Sequence, residues 1–226
     1  MNEAVDVEVV RVFTTDEGQL GNALGVVISS AASAGREQDI AATLGFSETV
    51  FIDNVDAGVA TIRIFTPAAE LPFAGHPSVG TAWWLREKGT PVQVLAEKAG
   101  DVAVRYDGDL TWITGRAEWA SDFIWFPRET PEQVDAVDPA EFTDGHNYVY
   151  AWIDEDAGAL RSRMFAPVLG IAEDEATGAA AVAVTTRLGR DLSITQGLGS
   201  RIQTRQLADG FVEVGGRTVP SSAIRL

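Results

Sequence analysis

The sequence repeats one short pattern about a hundred residues apart, and this repeat constrains the fold more than any other feature. Residues 63–67 read RIFTP and residues 163–167 read RMFAP, an offset of 100. Residues 70–75 and 173–178 each carry a glutamate five residues before a glycine, at an offset of 103. Both glycines precede apolar segments typical of buried helices. A strand, a proline-containing loop and a buried helix are therefore expected to occur twice.

The two helices are marked by their ends and by their composition. The first is predicted over 77–88, because proline favours the start of a helix and Gly89 follows the last turn. The second is predicted over 178–188, ending at Gly189, and its Ala and Val content is apolar nearly all round, which argues for burial. Strands are predicted around both helices, with 194–204 as a single strand.

This duplication predicts an α+β fold of two pseudo-symmetric halves, each a mixed or antiparallel sheet wrapped around a central helix, with a cleft between the halves. Residues 1–128 are assigned to the first half and 129–226 to a shortened second half. The sequence leaves open whether the last strand, 221–226, returns to the first half.

A weaker echo pairs Asn22 with Asn147, at an offset of 125 residues. It implies that the second half is shorter by about twenty residues and lacks a counterpart of 37–51. The alternative to a duplication is a chance similarity of two Phe-x-Pro loops. Agreement in both spacing and helix context favours the duplication.

Charge and composition exclude several classes of function. The formal net charge of −16 would repel nucleic-acid phosphates and anionic lipid headgroups, so we expect neither as a partner. The chain contains no cysteine, which excludes disulfides and thiol catalysis, and its two histidines leave little for a metal site. No apolar run reaches the ~18 residues of a membrane span, and the acidic opening does not resemble a signal peptide. A cytoplasmic protein is expected.

Both predicted helices begin with residues that can bind an anion. Gly75 and His76 precede a proline at the first helix, and Thr177 precedes Gly178 at the second, with Asp174 upstream. Free backbone N–H groups at a helix start favour a carboxylate. If the halves pack face to face, both starts would meet in the cleft and bind a small carboxylate. The alternative is ordinary capping of the helices by His76 and Thr177.

Glu48 is the strongest candidate for chemistry. Strand alternation puts it on the face of Val50 and Ile52. Apolar neighbours favour the neutral form of a carboxyl group, which suits a residue that both takes and returns a proton. The alternative is an exposed glutamate at a strand start. His146 is interpreted as a loop residue rather than a ligand.

Four strings resemble the phenazine-biosynthesis PhzF-like family and span most of the chain in order. They are GNAL at 21–24, LGFSETVF at 44–51, RIFTPAAELPFAGHP at 63–77 and EDEATG at 173–178. The resemblance implies a diaminopimelate-epimerase-like fold with the active site between two halves. It also implies a homodimer that works without metal or organic cofactor.

The same resemblance implies roles for individual residues. Glu48 would shuttle a proton, and His76 and Asp174 would assist in binding and proton transfer. The substrate-binding set comprises Asn22, Ser47, Gly75, Thr177 and Gly178. The two glycines would offer backbone N–H groups to a substrate carboxylate.

The sequence thus predicts a cofactor-independent isomerase that moves a proton between carbons of a small unsaturated carboxylate. One alternative is a non-catalytic protein that binds small carboxylates in the same cleft, and another is a hydrolase or decarboxylase. Relatives of this fold that racemise amino acids use a pair of cysteines, which this chain lacks. The chain departs from the family pattern at two places: Ala23 stands where the family has proline, and 196–202 lacks the family's Gly-Arg-Pro. These departures put the identity of the substrate in question rather than the fold.

Overall fold

The computed structural model describes residues 4–226; Met1, Asn2 and Glu3, part of the acidic opening considered above, lie outside the described residues. Over this range the chain forms mostly strands, with four α-helices. The strands are β1 (Asp6–Thr14), β2 (Asn22–Ile28), β3 (Glu48–Asp56), β4 (Val59–Phe65), β5 (Glu70–Leu71), β6 (Val94–Glu97), β7 (Gly100–Asp107), β8 (Leu110–Arg116), β9 (Ile124–Pro127), β10 (Asn147–Asp154), β11 (Ala159–Ala166), β12 (Ile171–Asp174), β13 (Leu192–Gln196), β14 (Ser200–Gln206) and β15 (Phe211–Arg225). The helices are α1 (Glu37–Leu44), α2 (Gly75–Glu87), α3 (Pro131–Asp135) and α4 (Gly178–Leu188). None of these helices is long and apolar enough to cross a membrane.

Eight of the strands close into a barrel. Neighbours follow in the order β1, β2, β3, β4, β6, β7, β8 and β15, and β15 pairs again with β1. Closure depends on the length of β15, because residues 211–217 pair with β8 and residues 217–225 pair with β1. Its 15 residues extend roughly 50 Å at the usual rise per residue. The C-terminal strand is thus part of the barrel that the first half of the sequence builds.

The helix α2 packs against this barrel and is nearly all buried. It contacts β1, β2, β3, β8 and β15. It begins at Gly75, two residues before the predicted start, because Pro77 is tolerated in the first turn, where N–H groups have no partner within the helix. The helix α4 covers the predicted range and ends at Gly189, whose φ of 67° is left-handed.

The second half of the sequence continues the same sheet in the order β15, β14, β13, β11, β10 and β9. β9 runs parallel to β10 with α3 between them in sequence, as β2 runs parallel to β3 with α1 between them. The expectation that this half lacks a counterpart of 37–51 is therefore wrong. The helix α3 has five residues, too few to show a helical period, and its proline-rich surroundings resemble a linker.

The pairing register relates the two halves residue by residue. Phe65 is paired with Thr49 between β4 and β3, and Phe165, its repeat counterpart, is paired with Asn147 between β11 and β10. Asn147 therefore occupies the position of Thr49. The echo between Asn22 and Asn147 is wrong, because a match of single residues carries no information about strand pairing.

Residues 194–204 form a hairpin rather than the predicted single strand. β13 and β14 are antiparallel, and the turn between them contains Gly197 with a φ of 58° and Gly199 with a φ of 137°. Glycine adopts such angles without steric cost. Glu175 holds the turn, since both of its carboxylate oxygens accept from the N–H of Leu198, at 2.9 and 3.0 Å.

Glu97, at the end of β6, has a buried carboxyl group that contacts α2. Its Oε1 lies 2.5 Å from Ser78 Oγ, and Ser78 Oγ donates to the carbonyl of Ala74, just before the helix, over 2.7 Å. Burial raises the pKa of Glu97 to about 8, and the hydrogen bond with Ser78 opposes this only in part. A protonated Glu97 can donate to Ser78 and so support the start of α2.

We expect the substitution Glu97→Gln to remove a pH dependence of stability. The folded pKa of about 8 exceeds the reference value of 4.5, so the folded state binds more protons between these values. The contribution of Glu97 to the free energy of unfolding is full below pH 4.5 and is lost as the pH rises to about 8, by up to about 1.4 kcal/mol per pH unit. Glutamine stays neutral, so urea unfolding should give similar stabilities at about pH 5 and a more stable variant at about pH 9.

An exposed glutamate provides the control for this experiment. The variant Glu118→Gln should follow the wild type at both pH values, because the Glu118 side chain is 65% exposed. Equal destabilisation of Glu97→Gln at both pH values would contradict the prediction.

Candidate active site

A cavity lies where the starts of α2 and α4 meet, and residues of both halves line it. The space between its walls, part of it open to solvent, measures about 490 Å³. Glu48 and His76 contribute from the first half, and Asp174 and Thr177 contribute from the second. The apolar part of the wall includes Leu71, Phe73, Met164, Leu169 and Ile171. Acidic, basic and apolar groups thus share one small space.

The starts of the two helices touch at a pair of glycines. A Cβ on Gly178 would lie 2.6 Å from the backbone nitrogen of His76 and 2.7 Å from the carbonyl carbon of Gly75. A Cβ on Gly75 would lie 2.9 Å from the carbonyl carbon of Gly178. Only glycine allows this approach, which brings the positive ends of both helix dipoles to the cavity.

Neither helix start is capped by a side chain. The expected alternative, ordinary capping by His76 and Thr177, is therefore wrong, because both side chains bind carboxylates instead. His76 contacts Glu48, and the hydroxyl of Thr177 donates to Asp174 Oδ2 over 2.6 Å. The arrangement leaves backbone N–H groups of the first turns available to an anion.

Glu48 is the first residue of β3, and its carboxylate is buried against His76. Glu48 is 6% exposed and His76 is 1% exposed, so the alternative of a solvated glutamate is wrong. Glu48 Oε2 lies 2.7 Å from His76 Nδ1. The other ring nitrogen, His76 Nε2, is buried without a hydrogen-bond partner in residues 4–226. The pair combines a carboxylate with an imidazole at the wall of the cavity.

Asp174 is a second buried carboxylate beside this pair. Burial raises the pKa of Asp174 to about 6, and the charge of Glu48 adds to the increase. The charge of His76 and hydrogen bonds from Thr177 and Ser47 act in the opposite direction. A carboxyl group with this pKa can change its protonation state near neutral pH.

Asn22 and Ser47 bind Asp174, and neither of them is among the described residues that line the cavity. Asn22 Nδ2 donates to Asp174 Oδ1 over 2.6 Å, and Ser47 Oγ donates to the same oxygen over 2.8 Å. Asn22 Nδ2 also donates to the carbonyl of Ala176. These bonds join the first half to the loop before α4 and orient the Asp174 carboxylate.

Sequence reasoning missed two residues at this site. Gln196 Nε2 donates to the carbonyl of Asp174 over 2.9 Å and to Thr177 Oγ1 over 2.8 Å. Gln196 begins the 196–202 segment, whose sequence departs from the family pattern and so does not indicate a site residue. His146 lines the cavity, although the surrounding loop composition indicates an ordinary loop histidine. Within residues 4–226, no group of three or more His, Cys, Asp or Glu side chains could hold a metal ion.

Known proteins resemble this chain in sequence along most of its length. The PhzC/PhzF family model, described as phenazine biosynthesis-like protein, matches residues 10–148 and 142–209. The chain is 32% identical over 220 residues to a trans-2,3-dihydro-3-hydroxyanthranilate isomerase of Pseudomonas chlororaphis, covering 81% of this chain and 77% of that protein. It is 34% identical over 191 residues to the protein of the same name from Pseudomonas fluorescens, covering 68% of each.

The overall fold also resembles that of a solved protein structure. The crystal structure of a Bacillus anthracis phenazine biosynthesis protein of the PhzF family superposes with a TM-score of 0.79, at 19% identity and 99% coverage of both chains. The names of the sequence relatives confirm the expected enzyme class, an isomerase. On the extent of the family match, this chain belongs to the PhzC/PhzF family of phenazine biosynthesis-like proteins.

Proposed function

We propose that the protein is a cofactor-independent isomerase in which Glu48 moves a proton between two carbons of a small unsaturated carboxylate. The observation that carries this proposal is the buried Glu48–His76 pair beside two converging helix starts. The names of the relatives suggest the substrate class, a dihydro-hydroxyanthranilate or a similar ring acid.

In the proposed reaction, Glu48 acts first as a base and then as an acid. His76 Nδ1–H donates to Oε2 and orients the carboxylate, so that Oε1 takes a proton from a carbon next to the unsaturated system. The electron pair of the broken C–H bond delocalises towards the substrate carboxylate. The Glu48 carboxyl group exchanges its proton with solvent and then delivers a proton to a second carbon, so the product is an isomer of the substrate.

The helix starts stabilise the charge that develops in this step. Backbone N–H groups after Gly75 and Gly178 bind the substrate carboxylate, where the delocalised electrons accumulate. Preorganised donors of this kind overcome locally the repulsion expected from a net charge of −16. Asp174, with a pKa raised to about 6, binds a polar group of the substrate or exchanges a proton with it.

Further parts of the proposal concern assembly and architecture. We infer that α2 and α4 are the central helices of the two halves, supported by the burial of α2 and the apolar composition of α4. The division at residue 128, the homodimer and the cytoplasmic location stay predictions. Light scattering in solution measures the mass of the assembly and tests the dimer directly.

Solvent isotope incorporation tests the reaction. Wild-type protein, treated with a chelator and desalted, is incubated with trans-2,3-dihydro-3-hydroxyanthranilate in heavy water and followed by NMR. We expect an isomer with deuterium at one new carbon position. The result that would overturn the proposal is a folded protein that forms no isomer and incorporates no deuterium with this acid or its unsaturated ring analogues.

A further inference from the structure

His146 lies on the wall of the same cavity and has a free ring nitrogen. The residue directly precedes β10, and its ring packs against Phe123 with 6.1 Å between the centroids. His146 Nδ1 lies 3.3 Å from the carbonyl oxygen of Asp122. His146 Nε2 is buried and has no hydrogen-bond partner in the part of the chain that the structure describes.

The strand register makes His146 the second-half counterpart of Glu48. Asn147 occupies the position of Thr49, so the residue before it occupies the position of Glu48. With this match, the parallel pairings of Leu24 with Glu48 and of Ile124 with Asn147 place Ser121 in the position of Asn22. Ser121 also lines the cavity. The duplication therefore presents a polar group to the cavity from each half.

The hydrogen bond of His146 fixes what its free nitrogen can do. A carbonyl oxygen only accepts, so Nδ1 carries the proton and the Nε2 of the neutral ring is an acceptor. The wall of the same cavity includes the apolar side chains of Met164, Leu169 and Ile171. An acceptor buried without a partner lowers stability, and a ligand that supplies an N–H or O–H group removes that cost.

We propose that His146 is a substrate-binding residue that determines specificity: its Nε2 accepts a hydrogen bond from an amino or hydroxyl substituent of the substrate. This rests on the proposed function, because it takes the carboxylate of the same molecule to bind at the helix starts. Ring acids with a suitably placed N–H or O–H group bind more tightly than the unsubstituted acid. Discrimination of this kind is large where a buried polar group is otherwise left unpaired.

Stable aromatic acids test the proposal without turnover. Calorimetry gives the dissociation constants of 3-hydroxyanthranilate, anthranilate, 3-hydroxybenzoate and benzoate for the wild type, His146→Leu and His146→Gln. We expect the wild type to prefer an acid with the contacting substituent over benzoate by about 10-fold or more. In His146→Leu this preference should fall to about 1, with benzoate affinity unchanged, and His146→Gln should restore part of it. Comparing anthranilate with 3-hydroxybenzoate identifies the contacting group.

NMR of the two histidines provides a readout independent of affinity. The chain has two histidines, so His146→Gln assigns the ring nitrogen signals. The Nε2 signal of His146 should move on addition of 3-hydroxyanthranilate and stay in place with benzoate. A wild type with no preference, or a preference that survives in a folded His146→Leu, overturns the inference. If deuterium incorporation still depends on Glu48 in that case, the proposed function stands and only the role of His146 fails.

Discussion

Replacing Glu48 with glutamine is expected to lower the rate of isomerisation by about 10²- to 10⁴-fold, the usual contribution of a positioned acid or base. Glutamine has nearly the same shape and can keep a hydrogen bond to His76, so the cavity should be preserved. It cannot accept a proton from carbon at neutral pH. The measurement is the rate of deuterium incorporation by NMR in heavy water, with circular dichroism to show that the variant is folded.

The matched control is the same change at Glu97. Both glutamates are buried and belong to the barrel, yet Glu97 contacts Ser78 on α2 and is absent from the cavity wall. Glu97→Gln should therefore keep an isomerisation rate close to that of the wild type. A folded Glu48→Gln variant that incorporates deuterium at the wild-type rate would show that another group moves the proton.

Much of the fold could be predicted from sequence patterns that lie within a single helix or strand. The helices α2 and α4 are apolar and are each followed by a glycine within two residues, and their ranges agree with prediction within two residues. Elements too short for their pattern of apolar and polar residues to repeat were missed. β9 has four residues and α3 has five, and proline in both resembles a linker. The hairpin at Gly197 was missed because its turn depends on Glu175, which lies far away in sequence.

The sequence predicts which residues belong to the site, but it does not predict the contacts between them. Burial of Glu48 follows from strand alternation, while its contact with His76 depends on packing between β3 and α2. The significance of His146 emerges only from register, because no local motif relates it to Glu48. The segments around Glu48 and His146 have little sequence similarity to each other. Their correspondence is visible only in the backbone hydrogen bonds that set the strand register.

Substitution of Gly178 by alanine is expected to damage both stability and activity. The new Cβ would lie 2.6 Å from the backbone nitrogen of His76, and backbone cannot move aside as a side chain can. Overpacking of this kind costs about 1 to 3 kcal/mol or more of unfolding free energy. A shift of about 1 Å at the helix starts would lower the isomerisation rate by roughly 10²-fold, because the N–H groups would no longer converge on one carboxylate.

Gly80→Ala in the middle of α2 is the control that separates backbone contact from crowding in general. A Cβ there would lie 2.6 Å from side-chain atoms of Leu24 and Val12 rather than from backbone atoms, and alanine favours the helix by about 1 kcal/mol. We expect Gly80→Ala to keep most of the activity even if its melting temperature changes. Gly178→Ala should instead lose activity and raise the KM for the carboxylate substrate. Equal activity of the two variants would mean that the contact of the helix starts does not organise the site, and that its anion-binding role must be assigned elsewhere.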